Sequence, residues 1–126
     1  MTEAIFHVKA GISKAWVCRV VEKVLRAEKA RRNISVLVTN DREIRRINRR
    51  FLKHDTATDV ISFDTGDLVV SADTACRTAK ELGIGGREEL ARYLVHGMLH
   101  LLGYDDKNEK DFERMHKRQE KILRSL

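Results

Sequence analysis

Two spacings of apolar residues alternate along the chain, one typical of helices and the other of strands. Apolar side chains recur every three or four residues between Ser13 and Ala27, which predicts an amphipathic helix with Ser13 as its N-cap. Alternation with polar residues predicts a half-buried strand at 33–39. Short apolar runs predict three more strands, at 5–8, 60–63 and 68–70, and a turn at 64–67 joins the last two as a hairpin.

Four further helices complete the predicted order. Asn40 opens a second helix that runs to about residue 51, with Ile44, Ile47 and Phe51 on its inward face. Ser71 caps a third helix that ends at a glycine-rich break at 83–86, and a fourth begins near residue 87. The last helix starts near residue 108, and its expected core stripe is Phe112, Met115, Gln119, Ile122 and Leu126. The order β-α-β-α-β-β-α-α-α predicts one α+β domain over residues 1–126, with a small mixed β-sheet covered by helices.

Composition adds information chiefly through charge. The 126 residues include 25 Lys and Arg against 19 Asp and Glu, a formal net charge of +6, which favours a polyanionic partner. The apolar runs are too short to cross a membrane, and we expect no signal peptide. Cys18 and Cys76 match no disulfide or metal-site spacing, so we expect reduced, buried thiols in a cytoplasmic protein.

The second helix concentrates positive charge on its outward face. Six basic side chains fall within roughly 140° of arc at about 100° per residue, with Glu43 as the only acid among them: Arg42, Arg45, Arg46, Arg49, Arg50 and Lys53. A solvated helix face usually mixes both signs, because like charges four residues apart repel by about 0.2–0.5 kcal/mol per pair. The cluster therefore favours phosphate contact and predicts nucleic-acid binding.

Residues 96–106 combine two imidazoles with two carboxylates across a predicted helix end. His96 and His100 share one helix face, where their imidazoles could bind one transition-metal ion. Gly103 suits the left-handed position that ends a helix and lets the chain turn back. Asp105 or Asp106 could then supply a third ligand and leave a fourth position for water. The alternative is a histidine pair that serves only as polar surface or buried packing.

The residue beside the first histidine narrows the chemistry. Metalloproteases with an H-E-x-x-H motif have a general-base glutamate at that position, and this sequence has Gly97. Water attack on a peptide would lack its usual proton acceptor, so the pattern argues against a protease of this type.

Three segments of the chain carry a family resemblance. Residues 48–51 (Asn-Arg-Arg-Phe) lead into 55–63 (Asp-Thr-Ala-Thr-Asp-Val-Ile-Ser-Phe), 66–71 read Gly-Asp-Leu-Val-Val-Ser, and 96–106 read His-Gly-Met-Leu-His-Leu-Leu-Gly-Tyr-Asp-Asp. In this order the segments are similar to motifs of the YbeY family of bacterial rRNA-maturation metalloproteins, described as single-strand-specific endoribonucleases. The family motifs are Asn-x-x-aromatic with Thr-Asp-Val-Leu/Ile-Ser-Phe, Gly-Asp-Ile-Val-Ile-Ser, and His-Gly-x-Leu-His-Leu-x-Gly-Tyr-Asp-His.

The resemblance implies a zinc-dependent endoribonuclease that acts on single-stranded RNA in 16S rRNA 3′-end maturation and ribosome quality control. It implies the ribosome or its small subunit as a partner, and one Zn²⁺ per chain held by His96 and His100 on a zincin-like helix. The family's third ligand is a histidine whose position here is Asp106, and a carboxylate binds zinc at about 2.0–2.2 Å, nearly the imidazole distance. The arginine that the family uses near the metal corresponds to Leu52, so Arg50 or Lys53 is the candidate for that charge.

Asp105 and Arg50 are the candidate catalytic residues. Asp105 either caps its own turn or orients a metal ligand. Two other functions remain open. One is a ribosome-associated RNA-binding factor with a structural or decayed metal site, which the basic face fits equally well and the changes at Leu52 and Asp106 favour. The other is a metal-dependent hydrolase of a different substrate.

Overall fold

Nine helices and strands are present in the computed structural model, which describes all residues from 1 to 126. They are β1 (Thr2–Phe6), α1 (Lys14–Ala27), β2 (Ile34–Thr39), α2 (Asp41–Leu52), β3 (Val60–Phe63), β4 (Asp67–Ser71), α3 (Ala72–Leu82), α4 (Gly86–Leu101) and α5 (Glu109–Arg124). The predicted α+β class and element order are confirmed. The first strand lies a few residues earlier than predicted, because Thr2 to Phe6 pair with Ile34 to Val38.

The four strands form one mixed sheet in the order β1-β2-β4-β3. β2 pairs in parallel with both β1 and β4, and β3 pairs antiparallel with β4, which confirms the predicted hairpin. Within this sheet β3 is an edge strand, so one of its sides is open. Three residues of β3 line the cleft that contains the histidine pair: Val60, Ile61 and Ser62.

Helices cover both faces of the sheet. Strand side chains alternate between the faces, so Leu68 and Val70 point into the main core with α1, α4 and α5, while Val69 points to the opposite face. On that opposite face Val69 packs with Ile44 of α2 and Ile61 of β3. The helix with the histidine pair, α4, is the most deeply buried helix and contacts the sheet, α1, α3 and α5.

Side chains at the N-cap positions begin the helices where the sequence predicts. Ser13 Oγ accepts a hydrogen bond from the Trp16 amide, and Ser71 Oγ accepts one from the Thr74 amide. Asn40 Oδ1 accepts from the amide at position 43 in the same way. Each contact satisfies an amide that has no partner within the helix, which stabilises the helix start by about 1 kcal/mol.

Several predicted inward stripes extend too far. Phe51 is 61% exposed, and Phe112 and Leu126 are also exposed. Cys76, expected to be buried, is exposed on α3. The physical reason is that helical periodicity identifies the inward face but not where the underlying surface stops. At the end of α2 that surface stops at β3, the edge of the sheet.

None of the five helices has both the length and the apolar character that crossing a membrane requires.

Gly66 is a sensitive backbone position, because its φ is +95° and an added Cβ would lie 2.4 Å from the backbone oxygen of Asn33. We expect Gly66→Ala to lower the free energy of unfolding by about 1–3 kcal/mol, measured by urea denaturation. Gly86→Ala is the matched control, since nothing lies within 4 Å of a Cβ at that position and its φ is not positive. Equal losses in the two variants would contradict this account.

Candidate metal centre and basic surface

The helix that contains the histidine pair approaches the sheet closely because residue 97 has no side chain. A Cβ at Gly97 would lie 2.8 Å from Val60 Cγ2 and 3.2 Å from Leu68 Cδ2. The Ser62 hydroxyl donates a hydrogen bond to the Gly97 carbonyl oxygen over 2.8 Å. Gly97, which stands where H-E-x-x-H proteases have their glutamate, therefore lies in the packing contact between α4 and the β3–β4 hairpin. A longer side chain at this position would displace its neighbours.

Three potential ligand side chains converge where α4 ends. The rings of His96 and His100 have centroids 4.7 Å apart, and their ligand atoms and that of Asp106 lie within 4.8 Å of one another. Gly103 adopts a φ of +104°, which allows the chain to turn back after α4, as predicted. Of the two candidate carboxylates, the turn brings Asp106 to the histidines, with Oδ2 3.6 Å from His100 Nε2.

Hydrogen bonds orient both imidazoles toward the same space. His96 Nδ1 lies 2.7 Å from Gln119 Oε1, and His100 Nδ1 lies 3.1 Å from the Tyr104 carbonyl oxygen. Both partners are oxygens that only accept, so each Nδ1 is the donor, and in the neutral imidazole Nε2 then has the free lone pair. The Gln119 amide nitrogen in turn donates to Glu120 at 3.3 Å, which is consistent with its oxygen facing His96. This is the arrangement that metal-binding histidines use.

The donor set and its geometry fit a metal ion. Tetrahedral zinc with bonds of about 2.0–2.2 Å places its ligand atoms roughly 3.3 Å apart. The separation of 3.6 Å between His100 Nε2 and Asp106 Oδ2 is close to that value, and small side-chain rotations would close the 4.8 Å span. The Asp106 side chain is 43% exposed, so a further coordination position would face solvent. Two imidazoles and one carboxylate suit a transition-metal ion.

Gln119 was predicted as part of the apolar stripe of α5 and not as a site residue. In the structure Gln119 is only 6% exposed, and its side-chain oxygen accepts a hydrogen bond from His96 Nδ1. The signal in the sequence is a glutamine at a core position of an amphipathic helix, because a buried polar group requires a partner.

The two histidines lie in an open cleft of about 450 Å³ between α4, the edge strand β3 and the end of α2. The lining residues are Asn48, Leu52, His54, Thr58, Asp59, Val60, Ile61, Ser62, Asp64, His96, His100 and Leu101. Leu52 contributes an apolar side chain to this wall. The cleft is open to solvent.

Two residues predicted to be catalytic do not line this cleft. The Arg50 guanidinium lies over the Phe51 ring, with its central carbon 5.5 Å from the ring centroid. The Asp105 carboxylate accepts a hydrogen bond from the Lys107 amide at 2.7 Å. Of the two roles that the sequence left open for Asp105, this contact is the turn cap. The catalytic roles of both residues stay predictions.

The basic face of α2 forms a second depression, of about 660 Å³, beside the cleft. Arg42, Arg45, Arg46 and Arg49 line it together with His7, Thr39, Asn40 and Glu43. All six predicted basic side chains are exposed, Arg50 and Lys53 included.

The basic residues of α2 have more acidic partners than their positions around the helix indicate. Asp55 accepts two hydrogen bonds from Arg45, at 2.9 and 3.2 Å, and lies 4.0 Å from Arg49. The hydrogen bonds from Arg45 hold the pKa of Asp55 below its usual range. Arg46 lies 3.3 Å from Glu43. The projection missed Asp55 because this residue belongs to the loop after α2. Three of the six cations have no ion pair: Arg42, Arg50 and Lys53.

The fold and the site define a class of protein, an α+β protein with a candidate His–His–Asp metal site beside a basic helix. The chain belongs to the endoribonuclease YbeY family, whose model matches residues 4–126.

Three similar proteins support this assignment. A relative from Persephonella marina, "Endoribonuclease YbeY", is 37% identical in an alignment 130 positions long that covers 92% of this chain and 85% of the relative. One of the same name from Porphyromonas gingivalis is 37% identical in an alignment 124 positions long that covers 93% of this chain and 80% of the relative. A solution structure from Thermotoga maritima has a TM-score of 0.75 and 25% identity, covering 98% of this chain and 87% of that chain.

Some relatives are much longer. The match spans 35% of the Myxococcus xanthus relative, at 46% identity over 103 residues, and 53% of one from Anaeromyxobacter. Both are also named endoribonuclease YbeY.

A buried phenol one turn before the histidine pair makes stability depend on alkaline pH. Tyr93 is 5% exposed, and burial is the main cause that raises its pKa from 10.0 to about 12. The folded state keeps the neutral phenol while the unfolded chain ionises, so this contribution is complete below pH 10.0 and is lost between 10.0 and about 12. We expect a loss of about 2–3 kcal/mol across that range, measured by urea denaturation at several pH values. Tyr93→Phe should lose less stability than the wild type over the same interval, and identical pH profiles would contradict the assignment.

Proposed function

We propose that this chain is a metal-dependent endoribonuclease that cleaves single-stranded RNA. The observation that carries the proposal is the cluster of His96, His100 and Asp106, whose ligand atoms lie within 4.8 Å of one another. The two histidines of this cluster also line the open cleft. Family membership supports RNA as the substrate. Zinc is the proposed ion, one per chain, because two imidazoles and a carboxylate with an open position are typical of catalytic zinc.

The residues around the cluster prepare it for this chemistry. Held by His96, His100 and Asp106, zinc would supply a Lewis acid able to polarise a phosphoryl oxygen or to make a water molecule more acidic. Gln119 and the Tyr104 carbonyl hold the imidazole protons at Nδ1, so that both Nε2 atoms face the cleft. The hydrogen bond from the Lys107 amide to Asp105 shapes the turn that presents Asp106. In this account Asp105 positions a ligand.

The basic face of α2 supports backbone binding beside the cleft. Arg42, Arg50 and Lys53 have no ion pair and can contact phosphate directly. The ion pairs of Arg45 and Arg49 with Asp55 are exposed, so water screens them and they are weak. A phosphate group can therefore replace Asp55 as the partner of these arginines. Arg50 lies outside the cleft, over the Phe51 ring, and we propose that it turns from this ring toward the scissile phosphate.

The biological setting is proposed from the family resemblance. Residues 1–126 would act as one YbeY-like unit in 16S rRNA 3′-end maturation and ribosome quality control. The ribosome or its small subunit would be the partner, and the cytoplasm the location. The net charge of +6 fits a polyanionic partner of this kind.

A second candidate function is a ribosome-associated RNA-binding factor with a structural or decayed metal site. The observation that favours it is the apolar Leu52 in the cleft wall, at the position where the family has an arginine. The basic face of α2 would serve this function equally well. Cleavage separates the two candidates, because the RNA-binding factor would bind RNA without cutting it.

Removal of a metal ligand tests the enzyme directly. We expect zinc-loaded wild-type protein to cleave a single-stranded RNA, and His96→Ala to lose at least roughly 100-fold in rate, the scale of the several kcal/mol that a metal provides. The measurement is cleavage of a labelled RNA resolved by gel electrophoresis, with and without a chelator.

His116→Ala is the matched control for this experiment. Residue 116 is an exposed histidine that stacks on Phe112, away from the cleft, so this variant should cleave as the wild type does. Cleavage that survives both His96→Ala and the chelator would overturn the metal-dependent mechanism. RNA binding without cleavage would favour the RNA-binding factor.

Neutralising the basic face tests how RNA is held. We expect the triple variant Arg45→Gln, Arg46→Gln, Arg49→Gln to bind single-stranded RNA more weakly and to reduce the slope of log K against log salt by about 2, since each phosphate contact contributes about 0.7. The measurement is fluorescence anisotropy at several salt concentrations.

A control variant removes the same charge elsewhere. Arg19, Arg26 and Arg31 are exposed and lie outside both depressions. Their replacement by Gln should leave the salt slope much closer to that of the wild type. Equal effects of the two triple variants would mean that net charge alone governs binding.

A further inference from the structure

An exposed aromatic ring lies at the end of α2, where the sequence predicts a buried one. Phe51 is 61% exposed, although its position in the helix belongs to the inward face. It contacts Phe63 of the edge strand edge-to-face, with centroids 5.9 Å apart and an interplanar angle of 81°. Because the sheet ends at that strand, no other element covers the ring. An exposed phenylalanine held by a second aromatic ring is a preformed apolar surface.

Phe51 lines neither of the two depressions, but the last turn of α2, on which it lies, contributes residues to both. Its helix neighbours Asn48 and Leu52 line the cleft of the histidine pair, and Arg49 lines the basic depression. A strand whose phosphates contact the basic face and whose backbone enters the cleft would pass the end of α2. Phe51 belongs to this last turn of α2.

The charge around the ring selects its occupant. Arg50 has its guanidinium over the ring at 5.5 Å, and Lys53 follows within the same turn without an ion pair. The other exposed phenylalanine, Phe112, stacks on His116, so one of its faces is already in contact with a ring. Positive charge beside an exposed aromatic ring is complementary to a nucleotide.

We propose that Phe51 is a platform on which one unpaired base of a single-stranded RNA stacks, while the neighbouring cations hold the flanking phosphates. This inference rests on the proposed function and adds a contact that selects unpaired RNA. Stacking on a protein ring requires a base whose faces are free, and a base within a duplex is already stacked on its neighbours. The platform would therefore favour single strands at the cleft entrance without reading their sequence.

The test measures RNA affinity in metal-free protein, so that cleavage does not consume the probe. The probe is a labelled single-stranded RNA of about 12 nucleotides, a length on the scale of known single-strand sites. We expect Phe51→Ala to weaken binding by roughly 5- to 150-fold, the range that base–aromatic stacking provides, with an unchanged salt slope because no phosphate contact is lost. Affinity for a duplex of the same sequence should change little.

Two conservative variants separate stacking from simple apolar contact. Phe51→Tyr keeps an aromatic face and should bind nearly as the wild type does, whereas Phe51→Leu keeps apolar volume and should weaken binding as Phe51→Ala does. Comparison of these two also decides the question if Phe51→Ala folds poorly. Leu82→Ala is the matched control, since Leu82 is equally exposed at 61% and lies on α3, outside both depressions.

The possible outcomes distinguish this inference from the proposed function. Wild-type affinity in both Phe51→Ala and Phe51→Leu would overturn the platform, and the proposed function would stand if the α2 arginine variant still bound weakly. Equal losses in Phe51→Tyr and Phe51→Leu would also overturn it. A wild-type protein that does not bind single-stranded RNA would overturn the proposed function, and the platform with it.

Discussion

The structure depends on the close contact between α4 and the β3–β4 hairpin. Gly97 allows this contact, because any side chain there would meet Val60 and Leu68, and the Ser62 hydroxyl reinforces it by bonding the Gly97 carbonyl oxygen. Two residues of α4 that flank this glycine are the histidines, so the contact that packs the core also fixes their place beside the edge strand. The same constraint explains why the chain has no glutamate where H-E-x-x-H proteases have their general base.

The candidate site is assembled from four separate parts around that contact. α4 provides His96 and His100, and the turn at Gly103 returns Asp106 to them. α5 contributes Gln119, whose amide oxygen accepts a hydrogen bond from His96 Nδ1. α2 overhangs the sheet edge and brings its basic face and Phe51 beside the cleft. Hydrogen bonds from Nδ1 to Gln119 and to the Tyr104 carbonyl oxygen orient the two imidazoles, while the side chains at the end of α2 are exposed.

The sequence predicts those parts that depend on local pattern. The element order, the N-caps, the hairpin and the turn at Gly103 are all confirmed, because caps, periodicity and glycine act over a few residues. Contacts between distant segments are not visible in this way. Gln119 lies 23 residues from His96, and Asp55 neutralises arginines from a loop that a helical projection omits. Phe51 was predicted to be buried because periodicity does not show that the sheet ends beneath it.

The stoichiometry of zinc binding tests the central claim most directly. Equilibrium dialysis followed by elemental analysis should give about one Zn²⁺ per chain for the wild type and a clear loss of bound zinc for Asp106→Ala. Glu113→Ala is the control, since it removes one exposed carboxylate from α5 and should bind zinc as the wild type does. A wild type that binds no zinc, or an Asp106→Ala variant that binds it equally well, would contradict the His96–His100–Asp106 site.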